Sequence, residues 1–321
     1  MTQVRTALAG RLNSGIKSTM ADPYVLHRNF VNVAARAPQL WRVVVVLVGF
    51  EIVFAISPDL VLGLLPSSAL QDAYKEGTSA FGTLAQFLTF GLSGCGLVML
   101  VQLLHARGFW SLIGPQQSAW RDLCAVTGVV SIVLFVLELL PPWYDLGAVD
   151  SVRPLTVWVS LIPVTLVALL IQVGTEEMLF RGYLQQQLAC LSSRRWMWMG
   201  VPSLMFGMLH YWNGNGQVEG LMWALWAMLL GMACADLTAR SGNLGAAIGL
   251  HLANNAFALL LYGIANWPGT GVALFLFPYE DPASFGAQIN ALPTFAIVMQ
   301  IISQALSVFV MWLAARYAIR R

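Results

Sequence analysis

Residues 174–183 read GTEEMLFRGY and directly follow a run of leucine, valine and isoleucine long enough to enter a bilayer. Carboxylates and guanidinium groups are costly in hydrocarbon, so such residues are paired or put to use. The apolar run predicts a helix, on which residues four apart share a face and adjacent ones point about 100° apart. Glu177 and Arg181 are therefore expected to pair, while Glu176 faces elsewhere and has no partner within the motif.

The rest of the chain has the same oily character. Of 321 residues, 58% are hydrophobic and 10% charged, and the mean hydropathy is +0.70. An ordinary soluble domain carries roughly 25% charged residues, so the chain reads as an integral membrane protein. Its net charge, 17 − 15 = +2, is too small to imply a nucleic-acid partner. Cys95, Cys124, Cys190 and Cys234 lie scattered in mostly apolar segments, a spacing that suits packing residues and neither a disulfide framework nor a zinc knuckle.

Apolar stretches near the crossing length of about 20 residues recur at 40–57, 81–104, 122–140, 155–183, 197–213, 219–237, 244–263 and 293–315. The expected fold is all-α, a polytopic bundle of about eight transmembrane helices. The fourth stretch exceeds one crossing and is expected to tilt, or to run past the interface as an amphipathic helix toward Gln187. Residues 1–38 contain Arg5, Arg11, Lys17, Arg28 and Arg36 without a signal-peptide pattern, and read as a basic leader before one membrane domain at 39–321. Arg107, Arg121, Arg194, Arg195, Arg240, Arg316, Arg320 and Arg321 fall on one side of the spans, and most acidic loop residues on the other. By the positive-inside rule both termini face the cytoplasm, as an even number of spans requires. Three irregular loops, 57–80, 141–153 and 264–292, then lie outside, and the last is placed to cover the outer face.

Two further polar insertions sit in apolar spans. Phe206 and His210 are four apart in FGMLHYW, as are His251 and Asn255 in HLANN, so each pair shares a helix face. A lone intramembrane histidine is usually a hydrogen-bonded packing residue, and Glu51 and Glu138 show that this chain has other acids near the membrane. The joint order across three spans is the stronger signal. One glutamate and two histidines suit either a metal site or a water poised to attack a carbonyl, and an asparagine amide suits a developing oxyanion.

Glu176, Glu177 and Arg181 in EExxxR, Phe206 and His210 in FxxxH, and His251 and Asn255 in HxxxN resemble the CPBP family of intramembrane proteases, also called the Abi family, which includes the CAAX proteases and bacteriocin-processing enzymes. The resemblance covers about 105–265, and RGFWSLIG at 107–114 is similar to a segment that precedes the family's core. It implies an intramembrane endopeptidase acting on a membrane-associated peptide or protein. Glu176 with His210 would activate water, Glu177 would be held by Arg181, and His251 with Asn255 would bind the oxyanion. If a divalent metal such as zinc takes part, Glu176, His210 and His251 are the ligands available. The resemblance fits a bacterial inner-membrane location. The alternatives are a non-catalytic scaffold or immunity protein of the same family, for which the complete set of polar residues has no use, and a proton-relay transporter, which predicts inverted repeats not found in the sequence. Counting inward from the basic loops allows Glu176, His210 and His251 to meet between mid-membrane and the inner half.

Overall fold

A computed structural model describes residues 23–141 and 145–320. Of the basic leader, residues 1–22 lie outside the described residues. The remainder folds into α1 (Val25–Val31) and a short 3-10 turn (Ala34–Arg36). The membrane bundle contains α2 (Leu40–Leu64), α4 (Ala80–His105), α6 (Gln116–Glu138), α7 (Leu155–Leu191), α9 (Gln217–Ser241) and α12 (Thr294–Ile319), each long and apolar enough to cross a bilayer. Short helices α3 (Ser68–Glu76) and α5 (Phe109–Ile113) lie in the connections.

The expected eight spans thus resolve into six long helices among the described residues and two shorter ones. The seventh is α10 (Gly245–Leu260), only 16 residues long. The fifth is α8 (Val201–Leu209), extended by a π turn before it (Trp196–Gly200) and a 3-10 turn after it (His210–Asn213). The seventh packs within the bundle and need not match lipid thickness, whereas the fifth keeps Leu204, Met208 and Leu209 exposed on its outer face. Most of α10 is buried, and it lies so near α6 that a Cβ on Gly245 would sit 1.9 Å from the Ala119 carbonyl. Small side chains at this contact let the backbones approach, the usual basis of helix association in membranes.

The fourth span corrects its expectation. Helix α7 runs 37 residues, about 55 Å at ~1.5 Å per residue, well beyond a hydrocarbon core of about 30 Å. Its last part is not an amphipathic surface helix, since Gln185, Gln186 and Gln187 are all 0% exposed. Between Met178 and Leu184 the helix loosens into π geometry, a feature that often accompanies functional sites.

The bundle has two distinct ends. At one, β1 (Ser151–Val152), β3 (Phe275–Phe277) and β2 (Tyr262–Ile264) form a sheet in the order β1-β3-β2, antiparallel then parallel. Gly269 N donates to Gly77 O at 2.9 Å, and Val218 N to Asn290 Oδ1 of α11 (Pro282–Asn290) at 3.0 Å. The three loops expected outside therefore meet at one end, with local structure that loop composition did not reveal. At the other end, Tyr24 OH donates to Asp236 Oδ1 at 2.6 Å, Trp312 Nε1 to Asp236 Oδ2 at 2.9 Å and Leu244 N to Ile113 O at 2.9 Å. The first and last described helices, α1 and α12, thus finish at the same end, as an even number of passages requires. Apolar side chains on the bundle's perimeter, among them Val48 and Ile52 of α2 and Ile302 and Leu306 of α12, are exposed and face lipid in this integral membrane protein.

Candidate active site

Glu177 and Arg181 are buried to 0% exposure and joined at 3.0 Å, Nη1 to Oε1, despite the π turn between them. The same carboxylate oxygen lies 2.9 Å from Nδ1 of His251 on α10. Glu176, the adjacent residue, reaches the other nitrogen of the same ring, with Oε2 3.7 Å from His251 Nε2. That oxygen has no hydrogen-bond partner. Glu177 Oε1 is thus held between Arg181 and His251, while Oε2 of each glutamate has no hydrogen-bond partner and, of the two, only Glu176 lines the cavity.

Phe206 organises the opposite side. Its ring lies 4.7 Å from the Arg181 guanidinium carbon, 4.3 Å from the His210 ring centre and 5.7 Å, edge-on, from that of His251. His210 Nδ1 is 2.8 Å from the Phe206 carbonyl, one helical turn back. A carbonyl only accepts, so Nδ1 carries the proton and Nε2 of a neutral ring is the acceptor. Asn255, one turn from His251, donates through Nδ2 to Gln172 Oε1 at 3.3 Å and accepts at Oδ1 from Asn254 at 3.0 Å. Its amide keeps a second N–H for a ligand.

Glu176, His210, His251 and Asn255 all line one cavity of about 1100 Å³. The structure therefore brings all four together, with Phe206 beside them and the Glu177–Arg181 pair behind. Among the described residues no group of three His, Cys, Asp or Glu side chains is arranged to hold a metal. Glu176, His210 and His251 do not form a closed ligand set in this arrangement, and His251 Nδ1 is already engaged by Glu177.

Sequence reasoning missed three supports of the site. Gln172 orients Asn255 from one turn before Glu176. Gly231 of α9 faces Arg181, where a Cβ would stand 2.7 Å from Nη2. Below the site lies a buried polar layer. Gln185 Nε2 approaches His27 Nε2 at 3.3 Å, Arg107 donates to Gln186 Oε1, and Gln187 Nε2 approaches His105 Nδ1 at 3.3 Å. His105 Nε2 also meets Tyr183 OH at 2.8 Å. Burial pushes the His27 imidazole down to about 4 and the Arg107 guanidinium down to about 10. The clue was in the chain: three consecutive glutamines point about 100° apart, so a helix bearing them is polar nearly all round and must be met by partners on several sides. The segment RGFWSLIG supplies one, with Arg107 and the Ser111 carbonyl holding Gln186.

Residues 158–257 match the family model described as Type II CAAX prenyl endopeptidase Rce1-like. The uncharacterized protein YyaK of Bacillus subtilis (strain 168) is 25% identical over 169 residues, 50% of this chain and 55% of the relative. The chain thus spans about half the length of the curated relative it matches. No solved structure matches the chain. The matched stretch contains every residue from Glu176 to Asn255, and over that stretch the chain is similar to the Rce1-like family, consistent with the CPBP resemblance of the three motifs.

Proposed function

We propose that the protein is an intramembrane endopeptidase that hydrolyses peptide bonds in a membrane-associated peptide or protein, with Glu176 as the base that activates water. The observation that carries this reading is the contrast between the two glutamates. Glu177 is fully buried with Oε1 held by Arg181 and His251, whereas Glu176 keeps 16% of its side chain exposed and lines the cavity.

The residues divide the chemistry as follows. A water between Glu176 and Nε2 of His210 loses a proton to the carboxylate as it attacks the scissile carbonyl. The oxyanion of the tetrahedral intermediate is met by the second N–H of Asn255 and by Nε2 of His251. His251 Nδ1 faces the Glu177 carboxylate, which only accepts, so the ring donates to the oxyanion only in the form that also carries a proton on Nε2. Glu176 then returns its proton to the leaving amine. If a divalent metal takes part, Glu176, His210 and His251 would have to rearrange to hold it, and it would supply a Lewis acid for the carbonyl.

The reading is tested by profiling membrane-protein termini in cells expressing wild-type protein or Glu176→Gln at matched levels. A precursor that accumulates only with the variant is the expected result and names the substrate. Identical termini under all growth conditions would leave the scaffold reading standing.

A further inference from the structure

The cavity lining runs from the catalytic side chains toward one end of the bundle and takes in exposed Glu51 and Phe54 of α2 and Gln300 of α12, while none of the described residues lines it toward the other end. Its catalytic side chains stand near mid-bundle, where α7 crosses α4 at Thr175 and Gly94. From there the lining climbs through Trp223 and Glu219 in the first turns of α9 to Asn213, and to Phe285 and Ile289 of α11. These last residues belong to the end where the sheet gathers the acidic loops. Below the catalytic level no residue of 100–121, 185–195 or 230–245 reaches the cavity. Those segments form the buried layer of Gln185, Gln186, Gln187, Arg107 and His105, which seals the floor.

Resting on the protease reading, we infer that the scissile segment enters from the sheet-bearing, acidic-loop end, so the substrate class is a peptide segment exposed on the membrane face opposite α1 and the end of α12. Entry from the basic end would require a peptide to pass the glutamine layer and the fully buried Glu177–Arg181 pair. With the basic end in the cytoplasm, as the charge asymmetry directs, the processed segment is extracytoplasmic.

The test uses full-length protein with a C-terminal affinity tag, reconstituted at about one molecule per vesicle, and vesicles captured by outward-facing tags. A quenched fluorescent peptide pool coupled to dextran, which cannot cross the bilayer, is either trapped inside or added outside. Cleavage of the trapped pool and sparing of the added one is expected, with both cleaved after detergent. Cleavage of the added pool by intact tag-outward vesicles would overturn the inference. A pool left uncut in detergent, or cut equally by Glu176→Gln, would instead sink the protease reading. A second measurement needs no activity. Ala258 lines the cavity, and Ala258→Cys, in a background lacking the exposed Cys95 and Cys124, is expected to react with an impermeant maleimide only from the face away from the tag. Labelling from the tag face, or none from either, would overturn the inference independently.

Discussion

His251 Nδ1 lies 2.9 Å from Glu177 Oε1, a bond that ties α10 to α7 at the centre of the bundle. Because Arg181 shares that oxygen, Glu177 is held from two sides, and Glu176 is left as the carboxylate that lines the cavity. Glu176→Gln removes the proposed base while keeping the size of the side chain. Cleavage is expected to fall about 10²–10⁴-fold with no change in thermal unfolding. Activity within a few-fold of wild type on an identified substrate would end this assignment.

Arg181→Ala should behave differently, because it strands a fully buried carboxylate. Breaking one side of a buried pair costs about 3–5 kcal/mol, so both stability and activity should drop. Gly231→Ala tests the same pair from the outside, since its Cβ would press within 2.7 Å of Arg181 Nη2. An overpacking cost of about 1–3 kcal/mol is expected. Melting curves in detergent check both, and an unshifted Gly231→Ala would show that Arg181 has room to move.

Asn255→Ala removes the amide N–H that we propose meets the oxyanion. The rate constant for turnover should fall about 10²–10³-fold, as for loss of one oxyanion donor, with little change in KM. A rise in KM alone would make Asn255 a substrate-binding residue.

His27 predicts a pH dependence of stability. It lies in α1, stacks on Trp198 at 4.5 Å and is held down to about 4 by burial, against an ordinary 6.5. Between those values the unfolded chain binds more protons than the folded one, so stability rises with pH across this window. The contribution is complete above about 6.5 and is lost as pH falls toward 4. His27→Phe keeps the aromatic contact and cannot titrate. Its melting temperature should depend less on pH from 4.5 to 7.5 than that of wild type, and equal slopes would refute the assignment.

Metal removal gives a further check. Glu176, His210 and His251 are not arranged as a ligand set, so prolonged dialysis against a chelator is expected to leave cleavage intact. Activity lost on dialysis and restored by zinc would mean that the three side chains close around a metal in the working enzyme.

The membrane bundle, the Glu177–Arg181 pair and the grouping of Glu176, His210, His251 and Asn255 were all legible in the chain. Hydropathy periods and four-residue spacings are local, and a bilayer demands both that backbone bonds close within each helix and that polar side chains find one another. Three things were decided only in three dimensions. The seventh span is short, because neighbouring protein rather than lipid surrounds α10. Gln185, Gln186 and Gln187 are interior rather than interfacial, because α1 and the segment at 107–114 fold back to meet them. The cavity extends toward the sheet-bearing end, because the contacts of α9, α11 and α12 set which helices part. None of these follows from local pattern: each depends on which distant segments pack together, and hydropathy along a single chain carries no record of its neighbours.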